Sequence, residues 1–283
     1  MNQSLTRQFF RFTIPTILSM VAFSLYTLVD GIFVAKGVGE TALAAVNLSS
    51  PYNSVMFAAG LLLAVGMSTT IAIRLGNGKH HEASSLFTRN LIVAVVVSIV
   101  ISVLTLLNLR SVAQFLGAEG DTLGYVMEYV GGVSPFAVFF ICSYNMEILV
   151  KTDGTPLLST IGVSLAGVTN LILDWLFVMI FHWGVRGAAV ATGLAQVVST
   201  VLYLYYFAKR SKQLHFVNVS LKPSEFKIYR RTLPLGVADS ITEMSNGVVL
   251  FAFNQTILQL IGESGVVSYT VIGYVNTLVL MVM

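Results

Sequence analysis

Long apolar stretches separated by short polar clusters run through almost the whole chain. A helix crosses the hydrocarbon core of a bilayer when about 18 or more consecutive residues are mostly apolar. Eight such stretches are predicted, and they cover approximately residues 12–35, 42–73, 88–109, 123–150, 157–181, 188–207, 232–260 and 266–283. The pattern therefore predicts an all-α polytopic membrane protein.

Composition excludes the main alternatives to a membrane protein. Of the 283 residues, 55% are hydrophobic and only 10% are charged, and the mean hydropathy is +0.82. Soluble domains carry about 25% charged residues, so this chain cannot cover a water-exposed surface. A disulfide-stapled secreted domain is excluded as well, because Cys142 is the only cysteine.

The distribution of basic residues predicts the orientation. If the N-terminus is cytoplasmic, 13 of the 16 lysine and arginine residues fall in cytoplasmic segments, namely the N-terminus, residues 74–89 and 151–156, and the segment 208–231. The positive-inside rule then predicts a multi-pass protein of the cell membrane with a cytoplasmic N-terminus. The net charge of +3 reflects this topology, so we expect the lipid bilayer and no nucleic acid as a partner.

Two short motifs recur in the same order on both sides of the basic segment. Arg11-Phe-Thr-Ile-Pro15 is similar to Arg230-Arg-Thr-Leu-Pro234, and Val38-Gly-Glu40 is similar to Ile261-Gly-Glu263. Each copy opens a new apolar run. Because six spans separate the copies, a second unit would enter the membrane in the same orientation, as in parallel-repeat transporters.

The repeat divides the chain into three parts. We predict a six-helix N-terminal lobe over residues 1–207, a basic cytoplasmic linker over 208–231, and the first two helices of an incomplete second lobe over 232–283.

Acidic residues inside the apolar runs are the strongest candidates for chemistry. Asp30, Asp174 and Glu243 lie there, where a charge costs about 2.5–3.5 kcal/mol on insertion scales. Asn170 precedes Asp174 by one helical turn, so both side chains share a face. Their oxygens could hold a hard cation or share a proton. A local hydrogen bond that hides a protonated acid is the alternative.

Asp30 would extend this pair if it faces the same cavity. Two carboxyl groups in a low-dielectric pocket cannot both ionise cheaply, so they would titrate as a unit and couple to H⁺ or Na⁺. Thr192, within the small-residue run 187–193, could add a hydroxyl group. Those small residues are equally explained by close helix packing.

Pro15 lies about four helical turns before Asp30. Because a proline bends its helix, a bend at Pro15 would move the face that carries Asp30. We therefore predict a switch in which protonation of Asp30 rearranges the helix. A harmless proline near the start of a span is the alternative.

No constellation of a soluble enzyme is present in the sequence. Gly76-Asn-Gly78 lacks the lysine–hydroxyl pair of a phosphate loop. His80 and His81 are adjacent rather than one turn apart, which is the wrong spacing for chelation on a helix. We predict a protein that is not an enzyme, that carries no cofactor, and that has no metal site beyond Na⁺ at the coupling site.

Together these residues resemble the bacterial multidrug and toxic compound extrusion (MATE) transporters. Segment 29–35 is similar to the family's first-span aspartate motif, the Asn170–Asp174 pair to its fifth-span motif, and segment 187–192 to the opening of its sixth span. Further similarities lie in the cytoplasmic loops at 75–78 and 153–156 and in the seventh span, at 240–247 and at Phe253 and Asn254. The resemblance covers the whole chain.

The resemblance implies a fold, an activity and site residues. It implies antiport of Na⁺ or H⁺ against amphipathic, often cationic xenobiotics, by a full-length monomer with a cavity between two six-helix lobes. The cation site would comprise Asp30, Asn170, Asp174 and Thr192, and Glu243 and Asn254 would line the substrate cavity. Val249 occupies the second-lobe position equivalent to Asp30, so the cation site is expected in the first lobe alone.

Two other interpretations remain beside multidrug efflux. Members of the family have twelve spans, so a C-terminally truncated form is expected, and a non-transporting remnant is one alternative. The other is a lipid-linked oligosaccharide flippase of the same superfamily, which would need cations in the first-lobe cavity to hold pyrophosphate. The predicted first, fifth and sixth spans contain no lysine or arginine, and the first and fifth each contain an aspartate, which favours the antiporter.

Overall fold

The computed structural model describes residues 28–220 and 222–282, together with residues 13, 14, 17 and 21. This part of the chain is helical and contains no strand, as the apolar pattern predicts. Pro15, the predicted bend, lies outside the described residues, as does half of the first predicted span.

Ten helices follow one another in the described ranges. They are α1 (28–37), α2 (Glu40–Gly76), α3 (His80–Leu107), α4 (Leu109–Phe115), α5 (Gly120–Val133), α6 (Ala137–Thr152), α7 (Pro156–Asp174), α8 (Gly184–Lys209), α9 (Tyr229–Leu260) and α10 (Glu263–Val282). Three short segments complete them: the 3₁₀ turn Ser134–Phe136 between α5 and α6, the π-helical turn Trp175–Ile180 after α7, and the 3₁₀ turn Pro223–Ile228 before α9.

Five stretches of the described chain are long and apolar enough to cross a membrane. They are Glu40–Gly76, His80–Leu107, Gly120–Thr152, Pro156–Ile180 and Gly184–Lys209. These stretches confirm predicted spans two to six.

The predicted seventh and eighth spans are helical, but within the described residues neither α9 nor α10 meets the same standard of length and hydropathy. In α9 the polar residues Asp239, Glu243, Asn246 and Asn254 interrupt the apolar run. The predicted fourth span is also less regular than expected. It is divided into α5 and α6 by the 3₁₀ turn at Ser134–Phe136, because Pro135 lacks the N–H that a continuous helix needs.

The outer surface of the helix bundle is apolar, as expected for a surface that faces lipid. Large side chains such as Leu104, Val168 and Ile172 are more than half exposed. Small and aliphatic residues of α2, α5, α6 and α8 fill the interior instead. This inversion is expected when helices associate through close packing in lipid rather than by exclusion from water.

Helices α2 and α9 pack side by side in antiparallel directions. A Cβ atom on Gly66 would overlap the backbone of Thr232, and a Cβ atom on Gly236 would overlap the backbone of Leu62. Residue numbers therefore rise along one helix as they fall along the other. This close approach joins the start of the predicted second lobe to the first lobe.

The basic linker is fastened to the first lobe by Asp153, which follows α6. The fully buried Asp153 carboxylate accepts hydrogen bonds from the backbone N–H groups of residues 212–214 at 2.9 to 3.0 Å. It also accepts from the hydroxyls of Tyr206 at 2.6 Å and Ser211 at 3.0 Å. One carboxylate thus orders the start of the linker against the ends of α6 and α8.

Candidate cation site

The carboxyl groups of Asp30 on α1 and Asp174 at the end of α7 lie close enough to each other to interact electrostatically. Asp174 is 0% exposed and Asp30 is 9% exposed. Ionised carboxylates only accept hydrogen bonds, so this contact becomes a hydrogen bond only when one carboxyl is protonated. The pair is therefore a candidate site for a shared proton, or for a cation in its place.

Three carboxyl oxygens of this pair have no hydrogen-bond partner among the described residues. They are Oδ1 of Asp30 and both Oδ1 and Oδ2 of Asp174. The ion pairs of the described residues do not include either acid. Burying unpaired charge is costly, so the negative charge of the pair has to be compensated by a proton or a bound cation.

Asn170 lies one turn before Asp174 on the same face of α7, within reach of its carboxyl group. The Asn170 Nδ2 donates to Thr192 Oγ1 on α8 at 3.3 Å, and Thr192 Oγ1 donates to the Ala188 carbonyl oxygen at 2.9 Å. Oδ1 of Asn170 is buried without a hydrogen-bond partner among the described residues. The hydrogen bond to Thr192 orients the amide, and the amide oxygen is left without a protein partner among the described residues.

The backbone widens directly after Asp174. The π-helical turn Trp175–Ile180 contains a hydrogen bond from Phe181 N–H to the Leu176 carbonyl oxygen at 2.9 Å. The end of α1 packs on this turn, since a Cβ atom on Gly37 would lie 2.6 Å from Val178 Cγ1. Single π-turns often mark functional sites, and this one brings α1 and α7 together next to the two acids.

Two tyrosines complete the surroundings of the acids. Tyr129 on α5, which is 3% exposed, lies within electrostatic range of both carboxyl groups and close to Asn53 on α2. Tyr274 on α10 lies near Asp30, and its ring occupies the space beside Gly31. The sequence pattern does not single out either residue, because tyrosines in apolar runs are equally typical of packing and of membrane interfaces.

The four residues predicted for the cation site are brought together in the structure, whereas Glu243 and Asn254 lie elsewhere. Glu243 accepts a hydrogen bond from Ser54 Oγ at 3.3 Å, and Asn254 Nδ2 donates to Asn47 Oδ1 at 2.8 Å. Both contacts join α9 to α2. Among the described residues no hydrogen bond links them to the acidic pair. They form a separate polar strip along the interface of these two helices.

The donor set indicates which ligands fit. Carboxylate, amide and hydroxyl oxygens are hard ligands, suited to Na⁺ and, through a carboxyl group, to H⁺. In the described part of the chain no group of three histidine, cysteine or acidic residues is placed to hold a metal ion. The His80–His81 pair accordingly gains no further ligand there.

The chain is similar in sequence to a family of known proteins. Residues 15–176, more than half of the chain, match the family model described as MatE. The multidrug export protein MepA of Staphylococcus haemolyticus is 24% identical over 268 residues, which cover 95% of this chain and 59% of that relative. MepA of Staphylococcus saprophyticus is 24% identical over 210 residues, or 74% of this chain and 47% of the relative. The chain thus spans about half the length of the curated relatives it matches.

Solved structures show the same fold. The MATE multidrug transporter DinF-BH superposes with a TM-score of 0.89 at 25% identity, covering 98% of this chain and 62% of that chain. An inward-facing multidrug resistance MATE family transporter of the MOP superfamily gives a TM-score of 0.79 at 26% identity, covering 90% and 60%. The architecture is therefore shared over almost the whole of this chain.

Proposed function

Because this chain belongs to the MatE family of multi-pass membrane transporters, we propose that it serves cation-driven export of amphipathic, often cationic molecules. Na⁺ or H⁺ would move inward as the substrate moves out. The observation that carries the proposal is the approach of Asp30 to Asp174, since two buried acids without a basic partner among the described residues need a mobile positive charge.

The acidic pair can convert cation binding into helix movement. When a proton or Na⁺ lies between the carboxyl groups, α1 and α7 are held together. When it leaves, two like charges face each other in a medium of low dielectric constant and repel. The position of α1 therefore depends on occupancy of the site. Pro15, in the preceding part of the same predicted span, is where we propose that the helix bends in response.

Asn170 and Thr192 have unequal roles in this proposal. The free Oδ1 of Asn170 is a cation ligand beside Asp174. Thr192 acts mainly through Asn170, because its Oγ1 accepts the amide N–H at 3.3 Å. It is a positioning residue, and its loss should weaken the site without removing a charge.

The proposed substrate path lies along α9. Glu243 supplies a negative charge for a cationic drug, whereas Asn254, which is 1% exposed and bonded to Asn47, would reach a substrate only when α9 moves away from α2. Tyr274 on α10 touches α1 next to Asp30. A change at the acidic pair is therefore passed directly to a helix of the predicted second lobe.

We further propose that the protein lies in the cell membrane with its N-terminus in the cytoplasm and works as a monomer. The basic linker supports this orientation, because it lies at the ends of α8 and α9 that the positive-inside rule assigns to the cytoplasm. The negative charge of the site supports an exporter of cations over a flippase that binds pyrophosphate. The described residues around Asp30 and Asp174 are acidic or neutral.

Dye accumulation in cells tests this function. A strain that lacks its own exporters, expressing the complete gene product, should retain less of a cationic rhodamine dye than the same strain carrying the D30N/D174N variant. Equal retention by both strains, with equal amounts of protein in the membrane, would contradict the proposal.

A further inference from the structure

A second polar cavity lies far from the acidic pair, at the membrane edge on the side of the basic linker. Its volume is about 440 Å³. It opens where the end of α2, the start of α3, the 3₁₀ turn Pro223–Ile228 and the start of α9 meet. Its charged lining residues are Arg74, Glu82, Arg89, Glu225, Lys227 and Arg231.

The cavity has an excess of positive charge. Its two acids, Glu82 and Glu225, each pair with an arginine of the lining at 2.9 Å. Lys227 and Arg231 belong to none of the ion pairs of the described residues. Two cations are therefore left over in a concave site, where their fields add.

Arg89 contributes a buried donor that has no acceptor among the described residues. The residue is 5% exposed, and its Nη2 contacts Glu225 Oε2 at 2.9 Å. Its Nε has no hydrogen-bond partner among the described residues, although it is fully buried. A buried guanidinium N–H without an acceptor costs free energy. The planar fork of a guanidinium matches the oxygens of a phosphate group.

The N-terminus of α3 adds to the positive potential. His81 and Ser85 on the first two turns of α3 line the cavity. The backbone N–H groups at a helix start attract anions. Leu86 and Ile228 also line the cavity, so one wall is apolar.

We propose that this cavity binds a negatively charged phosphate group. An anionic phospholipid headgroup and soluble phosphate present the same chemistry there. The position at the membrane edge and the apolar wall suit a headgroup, as do basic pockets between transmembrane helices in general. The proposal is independent of the transport function, because it does not involve Asp30 or Asp174.

The test uses the purified chain in nanodiscs of phosphatidylcholine, with and without phosphatidylglycerol. Phosphatidylglycerol that stays bound is quantified by mass spectrometry, and inorganic phosphate is titrated in the phosphatidylcholine discs while thermal unfolding is followed. The informative variant is K227Q/R231Q, in which both side chains are exposed. The matched control is K209Q/R210Q, which removes the same charge from exposed residues outside the cavity lining.

K227Q/R231Q should bind the phosphate group about 25-fold more weakly, since each of the two basic residues near an anionic surface contributes by a factor of about five. The control should match the wild type. Loss of phosphatidylglycerol retention identifies a lipid, and loss of stabilisation by inorganic phosphate identifies a soluble ligand; either result supports the site. Equal behaviour of the two variants, or no binding of either probe by the wild type, would overturn it. If the double variant unfolds, K227Q and R231Q are compared singly with K209Q.

Discussion

The ring of Tyr274 on α10 occupies the space where a Cβ atom on Gly31 of α1 would lie. Gly31 is adjacent to Asp30, so the predicted second lobe touches the first lobe at the candidate cation site. A side chain at position 31 cannot be accommodated without moving the tyrosine or separating the helices. This contact predicts that adding a single methyl group at position 31 lowers the stability of the protein.

Gly31→Ala should destabilise the protein by about 1–3 kcal/mol, the usual cost of overpacking. The measurement is thermal unfolding of the purified chain in nanodiscs. Gly124→Ala on α5 is the control, because nothing lies within 4 Å of its added Cβ atom. G31A/Y274A should recover part of the loss. A Gly31→Ala protein as stable as Gly124→Ala would show that the helices are not in contact.

The interface of α2 and α9 should tolerate an added methyl group even less well. Gly236→Ala places its Cβ atom against the backbone of Leu62, which cannot rotate away as a side chain can. We expect a loss of about 3 kcal/mol, at the upper end for overpacking. Gly76→Ala, with open space around it, is the control. The measurement is the midpoint of thermal unfolding in nanodiscs. Equal midpoints for Gly236→Ala and Gly76→Ala would refute the antiparallel contact.

Asp153→Asn should release the start of the basic linker. The amide has one acceptor oxygen and no charge, so it cannot replace a carboxylate that accepts from three backbone N–H groups and two hydroxyls. Hydrogen bonds to a charged group are worth about 1.5–3 kcal/mol each. Trypsin should therefore cleave after Lys209 and Lys212 at least several-fold faster. Asp121→Asn on α5, an exposed acid, should leave cleavage unchanged.

Thr192→Val should lower cation affinity by about 10- to 100-fold, which is typical for loss of a group that orients a ligand. The valine leaves the Asn170 amide without its acceptor at 3.3 Å. Thr192→Ser keeps the hydroxyl and should retain most of the affinity. Binding of radioactive Na⁺ to the purified chain, or proton release on unbuffered titration, gives the comparison. Equal cation affinity of Thr192→Val and Thr192→Ser would show that the Thr192 hydroxyl does not contribute to the site.

Much of the candidate cation site could be predicted from the sequence, for a physical reason. Buried charge in a membrane is so costly that Asp30 and Asp174 stand out within their apolar runs. The one-turn spacing of Asn170 is equally visible. Their mutual approach is a tertiary property, and only the structure shows it.

Other features have no local signature. Tyr129 is one of 11 tyrosines in the chain, and its role depends on which helices lie beside α5. The contact of Tyr274 with Gly31 joins residues more than 240 positions apart. Asp153 belongs to a recognisable loop motif, but its hydrogen bonds to the linker depend on how the chain returns after α8.

The most direct test of cation coupling is gradient-driven efflux from proteoliposomes that contain the complete gene product. The efflux of a cationic rhodamine dye is recorded with an imposed pH gradient, with an imposed Na⁺ gradient and with neither, for the wild type, Asp174→Asn and the control Asp121→Asn. We expect one gradient to accelerate efflux by the wild type and the control, and neither gradient to accelerate efflux by Asp174→Asn. An Asp174→Asn protein that responds to the gradient as the wild type does would contradict a coupling role for the Asp30–Asp174 pair.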